Sequence, residues 1–497
     1  MNLYLFKSKE KTHSADMKSS LHNGKEPVYQ KLADLLEGMI QERSLRPGDR
    51  VPSVRRFSSQ QRVSVPTALQ AYATLETRGL IEARPKSGFF VRARQADLAP
   101  HPKGTFPPAK ITSFTNTDPL QSLLSDHSNS KMVPLGAALP SSSLLPGVKL
   151  SRIMAGVARK LGAAAVNYDM PPGSEALRRE IARRSLEWGC ALKPEDLVIT
   201  IGATEAVSLA LRATCEPGDT VIVESPTYFG LASSLRQLKL NALPIPVDSV
   251  TGIDLDALEK AVRRNRVAAC VLIPSFHNPV GFAMPDERRK QLVQMLAKRN
   301  IPVIEDDIYG DLQHEGPRPR CLKAFDPDGS VILCSSYSKT LAPGYRVGYI
   351  AAGKWQSQVI SLKTVSTLSC ATPAVLAIAE FLKNGGYDRY LRTVRQAYRH
   401  QVERMREAIA ESFPEGIGLS RPRGGFLLWC ELPARVDSLE LSRQARAAGI
   451  SIAPGPLFSP NGGFRNFIRI NCGFPWTAAT ERSIGILGHL VQRLNVR

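Results

Sequence analysis

The chain has 497 residues, 43% of them hydrophobic, and carries 65 Lys and Arg against 45 Asp and Glu, a formal net charge of +20. That length gives room for about three domain-sized units with buried cores, and the composition excludes a disordered protein. The basic balance points towards a polyanionic partner, and eight cysteines with no CxxC spacing, together with no apolar run near the roughly 18 residues of a membrane helix, predict a soluble, cytoplasmic protein.

Residues 1–26 are polar and predicted to be unstructured, and residues 27–93 read as a small basic domain. In YQKLADLLEGMIQERSL, Leu32, Leu35, Leu36, Met39 and Ile40 fall on one helical face. The turn Pro47-Gly48-Asp49 follows, and Pro52 and Ser53 open a second helix, SVRRFSSQQR, with Ser53 as its cap. VSVPTALQAYATLETRG predicts a third, with Pro66 in its first turn, Leu69, Tyr72 and Leu75 along one face and Gly79 as C-cap. LIEARPKSGFFVR then predicts a two-stranded wing around a polar turn. From Arg43 to Arg92 there are nine arginines and one lysine against Asp49, Glu76 and Glu82, a net of +7. Helix, turn, helix, wing and concentrated charge together predict a reader of double-stranded DNA.

LRPGDRVPSVRRFSSQQRVSVPTALQAYATLETRGLIEARPKSGFFV resembles the winged helix-turn-helix of GntR-type transcription regulators. The resemblance implies DNA contacts from Ser53, Arg55 and the wing near Gly88, with Ser64, Thr67 and Tyr72 presented on the recognition helix. It departs at Val65, where such sequences commonly place an arginine, so base readout moves to Arg62 or Gln70.

Residues 94–132 are rich in Pro, Ser, Thr and Asn without periodicity and read as a passive spacer. Beyond it, from 133 to 497, strands such as LVITIG, TVIVES, AACVLIPS, IPVIEDD, SVILCSS and VGYIAA alternate with helices, predicting an α/β fold with a mainly parallel sheet. A smaller α/β lobe is expected from about 387 to 497, its long helix presenting Tyr398, Arg399 and Arg404 on a solvated, partly packed face. Ligands of such sheets sit at the carboxyl ends of the strands.

The chemistry-bearing residues fall at those ends. Gly202-Ala203-Thr204 opens a helix towards an anion, Tyr228 is placed to lie on an aromatic ring, and the amide of Asn278 to donate to a phenolic oxygen. Asp306 is a strand-end carboxylate that needs a cation, such as a protonated pyridine nitrogen, with Asp307 equally near in sequence. In SYSKTLAPGYRVGY, Lys339 stands among hydroxyls and Arg346 follows: the pattern a pyridoxal 5'-phosphate site needs, with Lys339 as Schiff-base lysine and Ser336, Ser338 and Arg346 on the phosphate. Gly344 is read as the residue that lets this loop turn sharply.

The order and spacing resemble the fold type I pyridoxal phosphate aminotransferases. The resemblance implies that Asp306 pairs with the pyridine nitrogen, Tyr309 and Asn278 bond the ring oxygen, Tyr228 stacks, and Ala203, Thr204, Ser336, Ser338 and Arg346 hold the phosphate. YDMPPGSEALR similarly implies that Tyr168 reaches the neighbouring subunit's cofactor, hence a homodimer. GGFRNFIRINCG implies that Arg469 grips a substrate or effector carboxylate, with Arg465 as the competing candidate. A winged reader spaced from such a body resembles the MocR subgroup of GntR regulators. This implies a DNA-binding regulator responding to the cofactor or to an amino acid or other amine, the alternatives being a working aminotransferase or a repressor using its body only to dimerise.

Overall fold

The computed structural model describes residues 27–42, 44–45, 48–78, 80–84, 87–91, 99–103, 110–112, 123, 125–126, 129, 131–384 and 386–496. The stretch 1–26, expected to be unstructured, and the proposed cap Gly79 lie outside them. The chain divides into two compact units, residues 1–98 and 99–497.

In the first unit, helices α1 (Val28–Gln41), α2 (Val54–Gln61) and α3 (Val65–Thr77) precede the antiparallel strands β1 (Ile81–Arg84) and β2 (Gly88–Val91). Local chemistry fixes the helix starts: Ser53 Oγ accepts from Arg56 N at 3.3 Å and Ser64 Oγ from Thr67 N at 3.2 Å. Arg62, in left-handed conformation with φ 54°, makes the turn between α2 and α3. Leu32, Leu36, Phe57, Ala68, Ala71, Tyr72 and Leu75 form the core. One expectation is corrected: Leu69 is 52% exposed, because the i, i+3, i+4, i+7 stripe that packs is Ala68, Ala71, Tyr72 and Leu75. The two-stranded wing is present as expected, and an isolated bridge from Arg50 to Phe90, with Val51 N donating to Phe89 O at 2.9 Å, lies along its edge.

The large unit is built on an eight-stranded sheet: β4 (Leu197–Thr200), β5 (Thr220–Ser225), β6 (Asn241–Asp248), β7 (Gly252–Ile253), β8 (Ala269–Leu272), β9 (Val303–Asp306), β10 (Val331–Ser336) and β11 (Gly348–Ala351). Their order is β4-β11-β10-β9-β8-β5-β6-β7. Neighbours from β10 to β6 run parallel, while β11 is antiparallel to both its neighbours and β7 to β6. Alternate residues of β5, β6 and β8 serve opposite cores: Ile222, Leu243 and Cys270 on one face, Val221, Ala242 and Val271 on the other. Burial on both faces is why these strands read as apolar runs.

A second sheet orders β12 (Gly418–Leu419), β13 (Leu427–Glu431), β16 (Phe467–Asn471) and β15 (Ala453–Pro454). The small lobe is not made from the C-terminal segment alone, since β3 (Val133–Pro134) pairs with β14 (Ile450–Ser451). Its long helix Gly386–Ser412 buries Tyr398 completely, with ring centroids 4.8 Å from Phe426, which corrects the reading of that tyrosine as part of a solvated face.

The spacer reading is corrected as well, because described residues of 94–132 are packed on the large unit. Leu419 N donates to Pro100 O at 2.8 Å, Thr112 bridges Ala242, Leu123 is buried, and Asp126 pairs with Arg446 at 2.8 Å. Absence of periodicity does not exclude docking, nor the helical conformation of Leu123, Ser125 and Asp126.

Candidate functional site

The carboxyl ends of β4, β5, β8, β9 and β10 converge on one cleft of about 970 Å³. Ala203, Thr204, Tyr228, Asn278, Asp306, Tyr309, Ser336, Ser338, Lys339 and Arg346 all line it. Tyr168 does not: it is 75% exposed, in a stretch where Val166 and Met170 also face solvent.

At the anion end, α6 (Gly202–Thr214; α4 and α5 are Gly147–Leu161 and Glu175–Ser185) starts after β4 and directs its free N–H groups and positive dipole end at the cleft. Gly202 takes φ +75°, and a Cβ there would lie 2.5 Å from Arg346 Nη2. Arg346 Nη1 donates to Ser338 Oγ at 3.0 Å, and Ser338 N to Ser336 Oγ at 3.3 Å. Glycine matters in this loop, but not at Gly344, around which a Cβ would meet open space; it is Gly348, whose Cβ would sit 2.6 Å from the Gly202 carbonyl carbon. Glu205 was not singled out from sequence. It accepts from Ile201 N at 2.5 Å and pairs with the buried Lys363 at 3.2 Å, bracing the helix start; an acidic residue in a first turn was the available signal.

At the opposite end Asp306 and Asp307 separate, since adjacent residues leaving a strand point to opposite sides. Asp307 is ion-paired with Arg318, which also holds Asp311 at 2.6 Å. Asp306 faces the cleft, and its only side-chain hydrogen bond among the described residues is from Ile308 N at 3.3 Å. Burial pushes its carboxyl up to about 7.

Lys339 Nζ donates to Ala138 O at 2.5 Å, a partner that no sequence signal marked. Burial, followed by repulsion from Arg469, lowers its ammonium to about 8, against a raising contribution from Asp306. The buried Tyr309 hydroxyl has no partner among the described residues, and burial raises it well above the usual phenol range.

Arg469 is fully buried in β16. Its Nη1 donates to Asn278 Oδ1 at 2.9 Å, its Nη2 to Gly136 O, and its Nε has no partner among the described residues. Its guanidinium lies 4.9 Å from the Phe458 ring centroid. Arg465 is instead exposed and paired with Asp437. By engaging the oxygen of Asn278, Arg469 leaves the amide NH₂ for the cleft.

On the small domain, Ser53, Arg55, Arg62 and Ser64 are exposed or half-exposed, and Ser64 Oγ is bonded to Thr67 Oγ1 at 2.7 Å as part of the α3 cap. Gly88 has φ +101° and lies beneath the Arg50 guanidinium, 3.4 Å from where its Cβ would be. Arg50 is thus a basic wing residue that the hairpin pattern did not reveal. Tyr72 is corrected: it is fully buried, its hydroxyl donates to Pro52 O at 2.6 Å, and it presents nothing on the outer face of α3. Val65 is 46% exposed there.

Comparison with known proteins agrees with this division. The gntR family of bacterial regulatory proteins matches residues 28–91, and aminotransferase class I and II matches residues 146–479. The chain is 39% identical to the uncharacterized HTH-type transcriptional regulator YjiR of Escherichia coli K12, over 94% of this chain and 99% of YjiR. It is 37% identical to YdcR of the same organism, over 93% and 99%. Among solved structures, the α-aminoadipate aminotransferase LysN of Thermus thermophilus, complexed with N-(5'-phosphopyridoxyl)-L-leucine, superposes with a TM-score of 0.71 at 29% identity, covering 77% of this chain and 96% of LysN. Among the described residues no helix is long and apolar enough to cross a membrane. A gntR-type DNA-binding domain followed by a class I and II aminotransferase domain, matched end to end in named regulators, places the chain in the MocR-type subgroup of the GntR regulators.

Proposed function

We propose that this protein is a pyridoxal phosphate-dependent transcription regulator, in which an amino compound entering the cofactor cleft changes binding to DNA. The observation that carries the reading is the donor set of that cleft: an amine, a strand-end carboxylate, a phenol with no partner among the described residues and a helix start with an arginine, all lining one cavity. This set fits a planar phosphorylated heterocycle with a basic ring nitrogen. Its two ends also match in charge, anion-seeking at α6 and cation-seeking at Asp306.

Bound pyridoxal phosphate supplies an electrophilic aldehyde carbon and a pyridinium that withdraws electrons. Lys339, with its ammonium lowered to about 8, holds a usable fraction of free amine near neutral pH. Asp306 offers a carboxylate to the ring nitrogen, which relieves the cost of burying that charge. Tyr309 and the Asn278 NH₂ orient the ring oxygen, and Tyr228 covers the ring face. Arg469 offers a buried guanidinium to an incoming carboxylate, a geometry lysine does not reproduce. An amine held in the cleft with its carboxylate at Arg469 would make unequal contacts in two arrangements of the protein, and so would shift their populations. Tyr168, exposed beside Val166 and Met170, belongs in this reading to a homodimer face, where it reaches the partner's cofactor.

The test is binding of the purified protein to the DNA upstream of its own gene, with competitor DNA and physiological salt, with and without pyridoxal phosphate and a panel of amino acids. The reading expects a cofactor-dependent shift that Lys339→Ala abolishes. An unchanged response in Lys339→Ala would defeat it. The aminotransferases among the similar proteins, LysN included, favour a second reading as a working aminotransferase. Sustained keto acid formation from an amino donor, unaffected by deleting residues 1–98, would support that one instead.

A further inference from the structure

The segment Ala99–Lys103 is held against the small lobe by three independent contacts. Pro100 O accepts from Leu419 N at 2.8 Å, and Lys103 N donates to Glu431 Oε2 at 2.6 Å. Gly418, paired with Glu431 across β12 and β13, lies so close beneath the segment that a Cβ would stand 2.9 Å from Pro102 Cα. Two prolines, which remove donors and restrict φ, make this short segment stiff, so it moves as a strap.

Beneath the strap is a second, open cavity, walled on the body side by Pro226, Val247, Trp429, Phe464 and Phe467. It is tied to the cofactor cleft through a short stretch of chain. Pro226 lines the strap cavity and Tyr228 the cleft, and between them Thr227 N donates to Phe458 O at 2.9 Å. Phe458 stands edge-on to Trp429, with ring centroids 5.3 Å apart, and lies under the Arg469 guanidinium. Trp429 and Arg469 are directly paired across β13 and β16. Arg469 spends one N–H of each Nη on a protein acceptor, so a carboxylate that takes the remaining N–H groups pulls the guanidinium against those two bonds. In a close-packed wall, any resulting tilt is passed to the rings stacked upon it.

We propose that the strap is the output of the effector site: occupancy of Arg469 changes, through Phe458 and Trp429, how firmly Ala99–Lys103 is seated on the small lobe. This rests on the reading of Arg469 as a carboxylate receptor. Seating or release of the strap resets the length of chain between the small lobe and the DNA-binding domain, and with it the geometry in which that domain meets DNA. The coupling is reciprocal, so a change in the strap must change effector affinity.

The test uses the full chain freed of pyridoxal phosphate, with N-(5'-phosphopyridoxyl)-L-leucine, which carries its own pyridoxyl ring into the cleft, as the probe and pyridoxal phosphate alone as the reference. Calorimetry measures its binding, and hydrogen exchange follows the amides of 99–103 and 418–419, including Lys103 and Leu419. Saturation is expected to change exchange there by at least about threefold, since occupancy shifts an opening equilibrium. Gly418→Val, which evicts the strap, is expected to keep pyridoxal phosphate absorbance, to change probe affinity by about threefold or more and to lose the probe's effect on DNA affinity. Glu431→Ala, which removes only the Lys103 anchor, is expected to act in the same direction, more weakly. Probe binding with unchanged exchange at these amides overturns the strap proposal alone. Failure of the probe to bind overturns both it and the reading of the effector site.

Discussion

The environment of Lys339 predicts how the apoprotein takes up pyridoxal phosphate as pH is varied. Only the neutral amine attacks a carbonyl. At pH 7 an ordinary lysine is about 0.03% neutral, whereas one at about 8 is about 9% neutral, a gain of roughly 300-fold. The second-order loading rate, followed by absorbance after mixing apoprotein with cofactor, should rise about tenfold per unit from pH 6 and level off with a midpoint near 8. Two variants test the cause. Arg469→Met removes a repelling cation and should move the midpoint up. Asp306→Asn removes an attracting carboxylate and should move it down. A midpoint above 10, or variants shifting in the same direction, would refute this account of Lys339.

Other consequences follow from single interactions. Tyr72→Phe removes the bond to Pro52 O from the small domain's core and should lower that unit's unfolding free energy by about 1–2 kcal/mol in urea. Operator affinity at a folding-permissive temperature should stay the same, as Tyr72 is buried. Arg55→Ala should weaken binding to specific and non-specific DNA alike, and reduce the slope of log affinity against log salt by about 0.9 for each phosphate the arginine had neutralised, whereas Arg62→Ala, read as a base contact, should weaken specific binding more than non-specific. Gly202→Ala places a Cβ 2.5 Å from Arg346 Nη2 in a left-handed backbone, so pyridoxal phosphate affinity should fall at least about tenfold while pyridoxal, lacking the phosphate, is much less affected, as a titration of both would reveal.

Much of the molecule was legible in the residues themselves. Ser53 announced its helix because capping is an interaction within three residues, and the apolar runs announced buried parallel strands because both faces are covered. The cleft residues were legible because each stands at a strand end or helix start, a place that local pattern reveals. Leu69 and Tyr72 were misjudged although the correct stripe through Ala68 and Ala71 was present; small residues carry little signal in a hydrophobic count, yet let helices approach.

The sequence by itself determined the element order, the two kinds of domain and the candidate set, since these depend on neighbours within a few positions. Only the tertiary structure separated Asp306 from Asp307, by bringing in Arg318, and Arg469 from Arg465, by burying one and pairing the other with Asp437 at the surface. It alone moved the critical glycines to Gly202 and Gly348, supplied Ala138 and Gly136 as acceptors, and turned a Pro-rich spacer into a docked strap. Each of these depends on which backbone passes close by, and that is decided by packing between segments hundreds of residues apart.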